Sequence, residues 1–220
     1  MTSTEELFAA IEAGNVEAVR GMVMGEPSLA AARDAEGVSA LMRARYRFDR
    51  ALVQAVMAAE PVLDVFEAAA FGDRDRLVEL VDGDQSLATA FSADGFSVLH
   101  LAAFFGQTDA ARLLLDRGAE VDARGRGWMI GTPLHSASSS DHVAIARLLL
   151  EAGVDPNARQ SGGWTPLHSA AHNGNTELVD LLLDHGADPT AVNDDGATVL
   201  ALADEQGDAD TIALIRQALG

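Results

Sequence analysis

The chain has 220 residues, of which 34 are acidic and 15 basic, for a net charge of −19, and every basic residue is arginine. Such a field repels nucleic acid and anionic membrane surfaces and favours a partner with a basic or mixed apolar and basic surface. The absence of cysteine excludes disulfides, thiolate nucleophiles and cysteine-based zinc sites.

The start of the chain carries Glu5 and Glu6 where a secretory signal needs basic residues, and no apolar run approaches the length of a membrane span. These features lead us to expect a soluble, cytoplasmic, monomeric protein. Lysine is absent while alanine and glycine are abundant, a composition that suggests a high-GC bacterial genome. Hydrophobic residues make up 48% of the chain but aromatics only 5%, which suits short helices that approach closely. Acidity looks even across halves, with 18 of the 34 acids and 8 of the 15 arginines in residues 1–110.

Apolar anchors recur at Leu7, Leu41, Val65, Leu99, Leu134, Leu167 and Leu200, at intervals of 34, 24, 34, 35, 33 and 33. Each anchor opens a short inner helix, followed by a glycine-type turn, an outer helix with a run such as Leu113-Leu114-Leu115, and a loop. In the first unit the inner helix runs from Leu7 to Gly14 and the outer from Val16 to Met24, with Asn15 as cap, and Glu5, Glu6, Glu12 and Glu17 form a solvated face. The loop Glu26-Pro27-Ser28-Leu29 recurs in altered form as Asp84-Gln85-Ser86-Leu87. The second unit departs most. Arg43, Arg45, Arg47 and Arg50 form a basic cluster, open to reading as a solvated face, an acidic-partner contact or internal ion pairs, and Phe48 stands where other units have glycine.

The next step is about ten residues short. Glu60-Pro61-Val62-Leu63-Asp64 therefore leads almost directly between helices, with Pro61 ending one and Asp64 capping the next. Gly118, Gly153 and Gly186 follow outer helices where a left-handed cap is wanted, and Gly72, Gly106 and Gly174 sit in the inner turns, where the fifth unit instead has Asp141. Two extra residues fall within Arg124 to Gly131. The last unit keeps Thr198 and Leu200, and Asp204, Glu205, Asp208 and Asp210 make it polar up to about Leu219.

Two copies of one phrase organise the rest: Gly131-Thr132-Pro133-Leu134-His135-Ser136-Ala137 and Gly163-Trp164-Thr165-Pro166-Leu167-His168-Ser169-Ala170-Ala171, with their histidines 33 positions apart. Threonine ahead of proline places an acceptor where the first free helical amides need one, and proline at the first helical position sacrifices no hydrogen bond. The leucine enters the core. The ring nitrogens of His100, His135 and His168 can tie a helix start to neighbouring loop backbone, a structural role.

Thr-Pro-Leu-His-x-Ala at this period resembles the ankyrin repeat. The resemblance implies an all-α ankyrin-repeat solenoid of about seven helix-turn-helix repeats with β-hairpin-like finger loops. The whole chain, 1–220, is then a single domain: 1–62 irregular, 63–195 regular, and 196–220 a capping repeat. The short step near Glu60 to Asp64 is a missing finger, either a bend or a block boundary.

Candidate chemistry is thin. His168 and His172 lie four apart, yet His168 belongs to the repeat motif and no His-Glu-x-x-His follows. Ser138, Ser139 and Ser140 beside Asp141 and His142 lack an elbow to present a nucleophile. Asp194-Asp195-Gly196, Asp82-Gly83-Asp84 and the stretch Asp204 to Asp208 do not match a calcium loop. Gly125-x-Gly127 and Gly162-Gly163 precede no phosphate cradle. We expect no catalysis, no metal and no cofactor.

In the family, partners dock on the concave side, on finger tips and exposed inner-helix positions. Carried onto this sequence, that face comprises Phe96, Phe104 and Phe105; Trp128, Met129 and Ile130 with Ser139 and Ser140; Trp164 with His172 and Asn173; and Asp194, Asp195, Ala197, Glu205 and Gln206. Earlier repeats contribute Tyr46, Arg47, Ala70 and Phe71. The expected function is protein binding anchored by Phe96, Phe104, Phe105, Trp128 and Trp164. The alternatives are a ligand or enzyme pocket at His172, Asn173, Ser139 and Ser140, and a scaffold that associates with itself through the aromatic stripe.

Overall fold

A computed structural model of the chain describes residues 2–126 and 130–220. Among the described residues there are fourteen α-helices and no strands. The fingers reduce to single antiparallel bridges, Arg33 with Ser39, Phe91 with Ser97 and Val192 with Thr198. Contacts divide the chain into two compact units, Met1–Glu67 with Ser92–Asp94, and Ala68–Phe91 with Gly95–Gly220.

In the first unit, α1 (Ser3–Glu12), α2 (Val16–Gly25), α3 (Ala40–Tyr46) and α4 (Arg50–Met57) form two helix pairs. The caps Thr2, Asn15, Ser39 and Asp49 each accept a hydrogen bond from a free first-turn amide, which is what starts such short helices. Leu7, Ile11, Val19, Val23, Leu41, Leu52 and Val56 have no exposed surface and form the core. The arginines of the second repeat are held within the unit. Arg43 pairs with Asp34 and Glu36, and Arg47 lies 3.6 Å from Glu12. Burial lowers the pKa of Arg45. Tyr46 donates to Asp94 at 2.7 Å, and burial, followed by that carboxylate, pushes its phenol well up.

The helix α5 (Val65–Phe71) begins where the finger is missing. Asp64 accepts from the amide of Glu67 at 2.8 Å while Glu67 accepts from the amide of Asp64 at 2.9 Å, a reciprocal cap. The other oxygen of Glu67 accepts from Ser39, the cap of the preceding repeat, at 2.6 Å. Burial raises the pKa of Glu67.

In the second unit the inner helices α7 (Val98–Phe104), α9 (Pro133–Ser139), α11 (Pro166–Asn173) and α13 (Val199–Gln206) pack in succession. The outer helices α6 (Arg74–Gly83), α8 (Thr108–Asp116), α10 (Val143–Glu151), α12 (Thr176–Asp184) and α14 (Ala209–Leu219) do the same, giving two layers. Leu99, Leu114, Leu134, Ile145, Leu149 and Leu167 fill the space between them. Leu200, aligned with Leu167, is only half-buried, and Val199 takes the core position.

The layers are fastened at the helix starts. Nδ1 of His100, His135 and His168 accepts from the backbone amide of Ser97, Thr132 and Thr165 at 3.3, 3.1 and 3.1 Å. Nε2 of His100 and His135 then meets the carbonyls of Gly131 and Trp164, one repeat on, at 3.0 and 3.2 Å. A carbonyl only accepts, so Nε2 carries the proton and the rings are neutral. Burial accordingly lowers the pKa of both histidines to about 4. Nε2 of His168 is buried without a hydrogen bond of ordinary geometry, although the Ala197 carbonyl lies close enough to oppose the lowering of its pKa by burial.

The inner turns require a left-handed residue. At Gly106, φ is +76° and an added Cβ would lie 2.7 Å from the His142 ring, whose Nε2 bonds the Phe104 carbonyl. Phe48 and Asp141 hold the same conformation without being glycine, at +54° and +59°. The Asp141 carboxylate offsets this by accepting from Asn173 and Asn175 of the next repeat, both at 3.1 Å.

Three outcomes follow from this geometry. An unfolded histidine takes up a proton below about pH 6.5, whereas His100 and His135 resist until about pH 4. Between those values the unfolded state binds more protons, so stability falls as pH falls, by an order of 1–2 kcal/mol per histidine. Urea unfolding at pH 7 and pH 5 should show this loss, and a His100→Asn/His135→Asn protein, less stable at pH 7, should show a smaller one. Separately, Gly106→Ala should lower stability by about 1–3 kcal/mol through strain and contact with His142. Phe48→Gly should raise the melting temperature, since Phe48 is 73% exposed and a left-handed L-residue costs roughly 1–2 kcal/mol.

Candidate functional site

Phe96, Trp164 and Ala197 each precede the cap of an inner helix, and His100, His168 and Ala201 follow four positions on, with Phe104, His172 and Glu205 four further. Residues at this spacing share one helix face. Phe96 and His100 have ring centroids 6.1 Å apart. Trp164 lies over both histidines of its helix, 5.9 Å from His168 and edge-on to His172 at 5.7 Å. Phe96, Phe104 and Trp164 are half-buried, His172 and Glu205 exposed, and Ile130 is 48% exposed. The inner-helix face of the second unit thus carries partly exposed aromatic surface.

Two expected contributors do not belong to this surface. Phe105 is only 9% exposed, because the chain turns directly after Phe104 and folds the second ring inward, where it meets the first edge-on at 5.0 Å. Ala70 is fully buried. Trp128 and Met129 lie outside the described residues.

The polar candidates are largely engaged in holding repeats together. The amide of Asn173 donates to the carbonyls of Ser138 and Ser139 and to Asp141, and the Ser139 hydroxyl donates to the Ser136 carbonyl. Ser139 is exposed and Ser140 half-buried. Among the described residues no group of histidine and carboxylate side chains could hold a metal ion.

On the fingers, Arg124 donates to the carbonyl of Arg159 at 2.7 Å, and Arg159 in turn to the carbonyl of Val192 and the carboxylate of Asp194, both at 3.0 Å. The two arginines of this ladder stand 35 positions apart, close to the repeat period, a signal carried by the sequence. An open depression of about 580 Å³ beside it is lined by Phe91, residues 120–124 and Arg126, whose guanidinium stacks 3.8 Å over the Phe91 ring.

Charge is uneven at the scale of repeats. Residues 91–130 hold five acids and four arginines, residues 131–175 three and two, and residues 176–220 ten acids against one arginine. Net charge therefore drops from −1 to −9 towards repeat seven. Asp194, Asp195 and Glu205 are all exposed.

Comparison with known proteins agrees with this geometry. The family model for ankyrin repeats (many copies) matches residues 99–150 and 134–183. A Drosophila melanogaster palmitoyltransferase is 36% identical over 100 residues, covering 46% of this chain and 15% of that protein. The E3 ubiquitin-protein ligase XB3 of Oryza sativa subsp. japonica is 41% identical over 90 residues, 40% of this chain and 20% of the ligase. A Caenorhabditis elegans ankyrin repeat and LEM domain-containing protein 1 homolog is 51% identical over 57 residues, 26% of this chain and 8% of that protein. The chain spans a fifth or less of the length of these relatives, and their enzymatic names describe those whole proteins. With the repeated helix pairs, the histidine fastenings and the family match in agreement, the chain carries ankyrin repeats.

Proposed function

We propose that the chain is a non-catalytic module that binds another protein across the inner-helix face of repeats four to seven, the concave side of an ankyrin array. The observation that carries this is the partly exposed aromatic surface of Phe96, Phe104 and Trp164 along one face of the inner helices. Aromatic residues dominate interface hot spots, each worth about 2 kcal/mol or more when central. On this reading the face also takes in Ile130, Ser139, Ser140, His172 and Asn173, with Asp194, Asp195 and Glu205 as its acidic end. The serine and asparagine groups that a ligand pocket would use already satisfy backbone carbonyls and Asp141, which favours protein binding over catalysis. The high negative charge opposes self-association and contact with nucleic acid or anionic membranes, in keeping with a monomer acting in the cytoplasm. Among the described residues no helix is long and apolar enough to cross a membrane.

Affinity capture from the native host tests this. A Phe104→Ala/Trp164→Ala protein should lose its captured partner at least tenfold while melting within a few degrees of the parent. Arg147→Ala, on an outer helix, should capture as the parent does. Unchanged capture by the aromatic double variant would refute the assignment.

A further inference from the structure

We propose, building on the binding role above, that this face takes one linear segment of its partner in a fixed direction. Apolar side chains lie over Phe96 and Phe104, and arginine or lysine side chains over Asp195 and Glu205.

The direction comes from the register of the helices. Phe104, Ser139, His172 and Glu205 occupy the same position in four successive inner helices, so the row runs from aromatic through polar to anionic in single steps. A second row, Phe96, Gly131, Trp164 and Ala197, runs beside the helix starts and is followed at its far end by the exposed carboxylates of repeat seven's finger. Net charge falls along the same axis, from −1 over residues 91–130 to −9 over residues 176–220.

The carboxylates at that end are not equivalent. Asp194 is paired with Arg159, Asp204 with Arg216, and Asp208 caps α14 and accepts from Thr176. Among the described residues the carboxylates of Asp195 and Glu205 accept no hydrogen bond and form no ion pair, and both are exposed. Residues 176–220 contain no cation besides Arg216 to answer them. Both stand open to a cation supplied by a partner, and the half-exposed Trp164 offers a ring on which that cation can also rest. Four helices at about 8–10 Å spacing make three steps of roughly 24–30 Å, the reach of about eight or nine extended residues at ~3.3 Å each.

A phage-displayed library of random 12-residue peptides, selected on the immobilised full chain at physiological salt, tests this. Enriched peptides should carry an apolar block and an arginine- or lysine-containing block in one constant order. Selection on an Asp195→Arg/Glu205→Arg protein should replace the basic block by aspartate or glutamate at the same end, and the original peptides should bind that variant at least tenfold more weakly. Peptides that lose binding on Trp164→Ala, yet show no fixed order or no response to the charge reversal, would overturn the direction while leaving the face intact. A selection yielding no peptide sensitive to Trp164→Ala would overturn both.

Discussion

Helices of seven to nine residues, such as α7, α9 and α10 of the second unit, are too short to persist in water by themselves and depend on the neighbours packed against them. At two junctions of the second unit the apolar packing is fastened by a neutral imidazole that accepts from its own helix start and donates to the following finger. Taking an imidazole out of water is unfavourable for its charged form, and the same burial that lowers its pKa keeps it in the state that can both accept and donate. Where the third repeat has no histidine, Glu67 takes the equivalent position. It keeps the reciprocal cap with Asp64 but, having only oxygens to offer, needs a donor, and finds it in the hydroxyl of Ser39 behind it.

Much of this was legible in the sequence because it rests on local chemistry at fixed intervals. The Thr-Pro-Leu-His phrase gave the helix starts. Alignment on it placed Phe48 and Asp141 at turns where glycine is usual, and the backbone there is left-handed. What escaped depends on tertiary neighbours. Phe104 and Phe105 are chemically identical and adjacent, and a rotation of one residue decides which is buried. Glu67 reads as an ordinary helix acid until Ser39 is seen beside it. The tie between Tyr46 and Asp94 joins residues 48 apart, beyond any repeat period.

The proposed binding face shows the same division. Sequence position identifies which residues leave the core, but not how far they leave it: Trp164 is folded down along its own helix against His172 rather than standing free. Charge counted over half the chain looks uniform, and only counting by repeats reveals the acidic end. The arginines of repeat two, which as a string suggest a docking patch, include two that neutralise carboxylates of their own unit.

The histidine fastening has a last property, which concerns variation. Its forward partner is a main-chain oxygen, belonging to Gly131 in one case and Trp164 in the other. Every amino acid carries that oxygen, so the hydrogen bond itself does not depend on the side chain, although at Gly131 an added Cβ would come within 3.0 Å of Gln160 and 3.1 Å of His135. At Trp164, which the proposed binding face also uses, the joint asks only for the main chain, so the ring there can change without loss of that hydrogen bond.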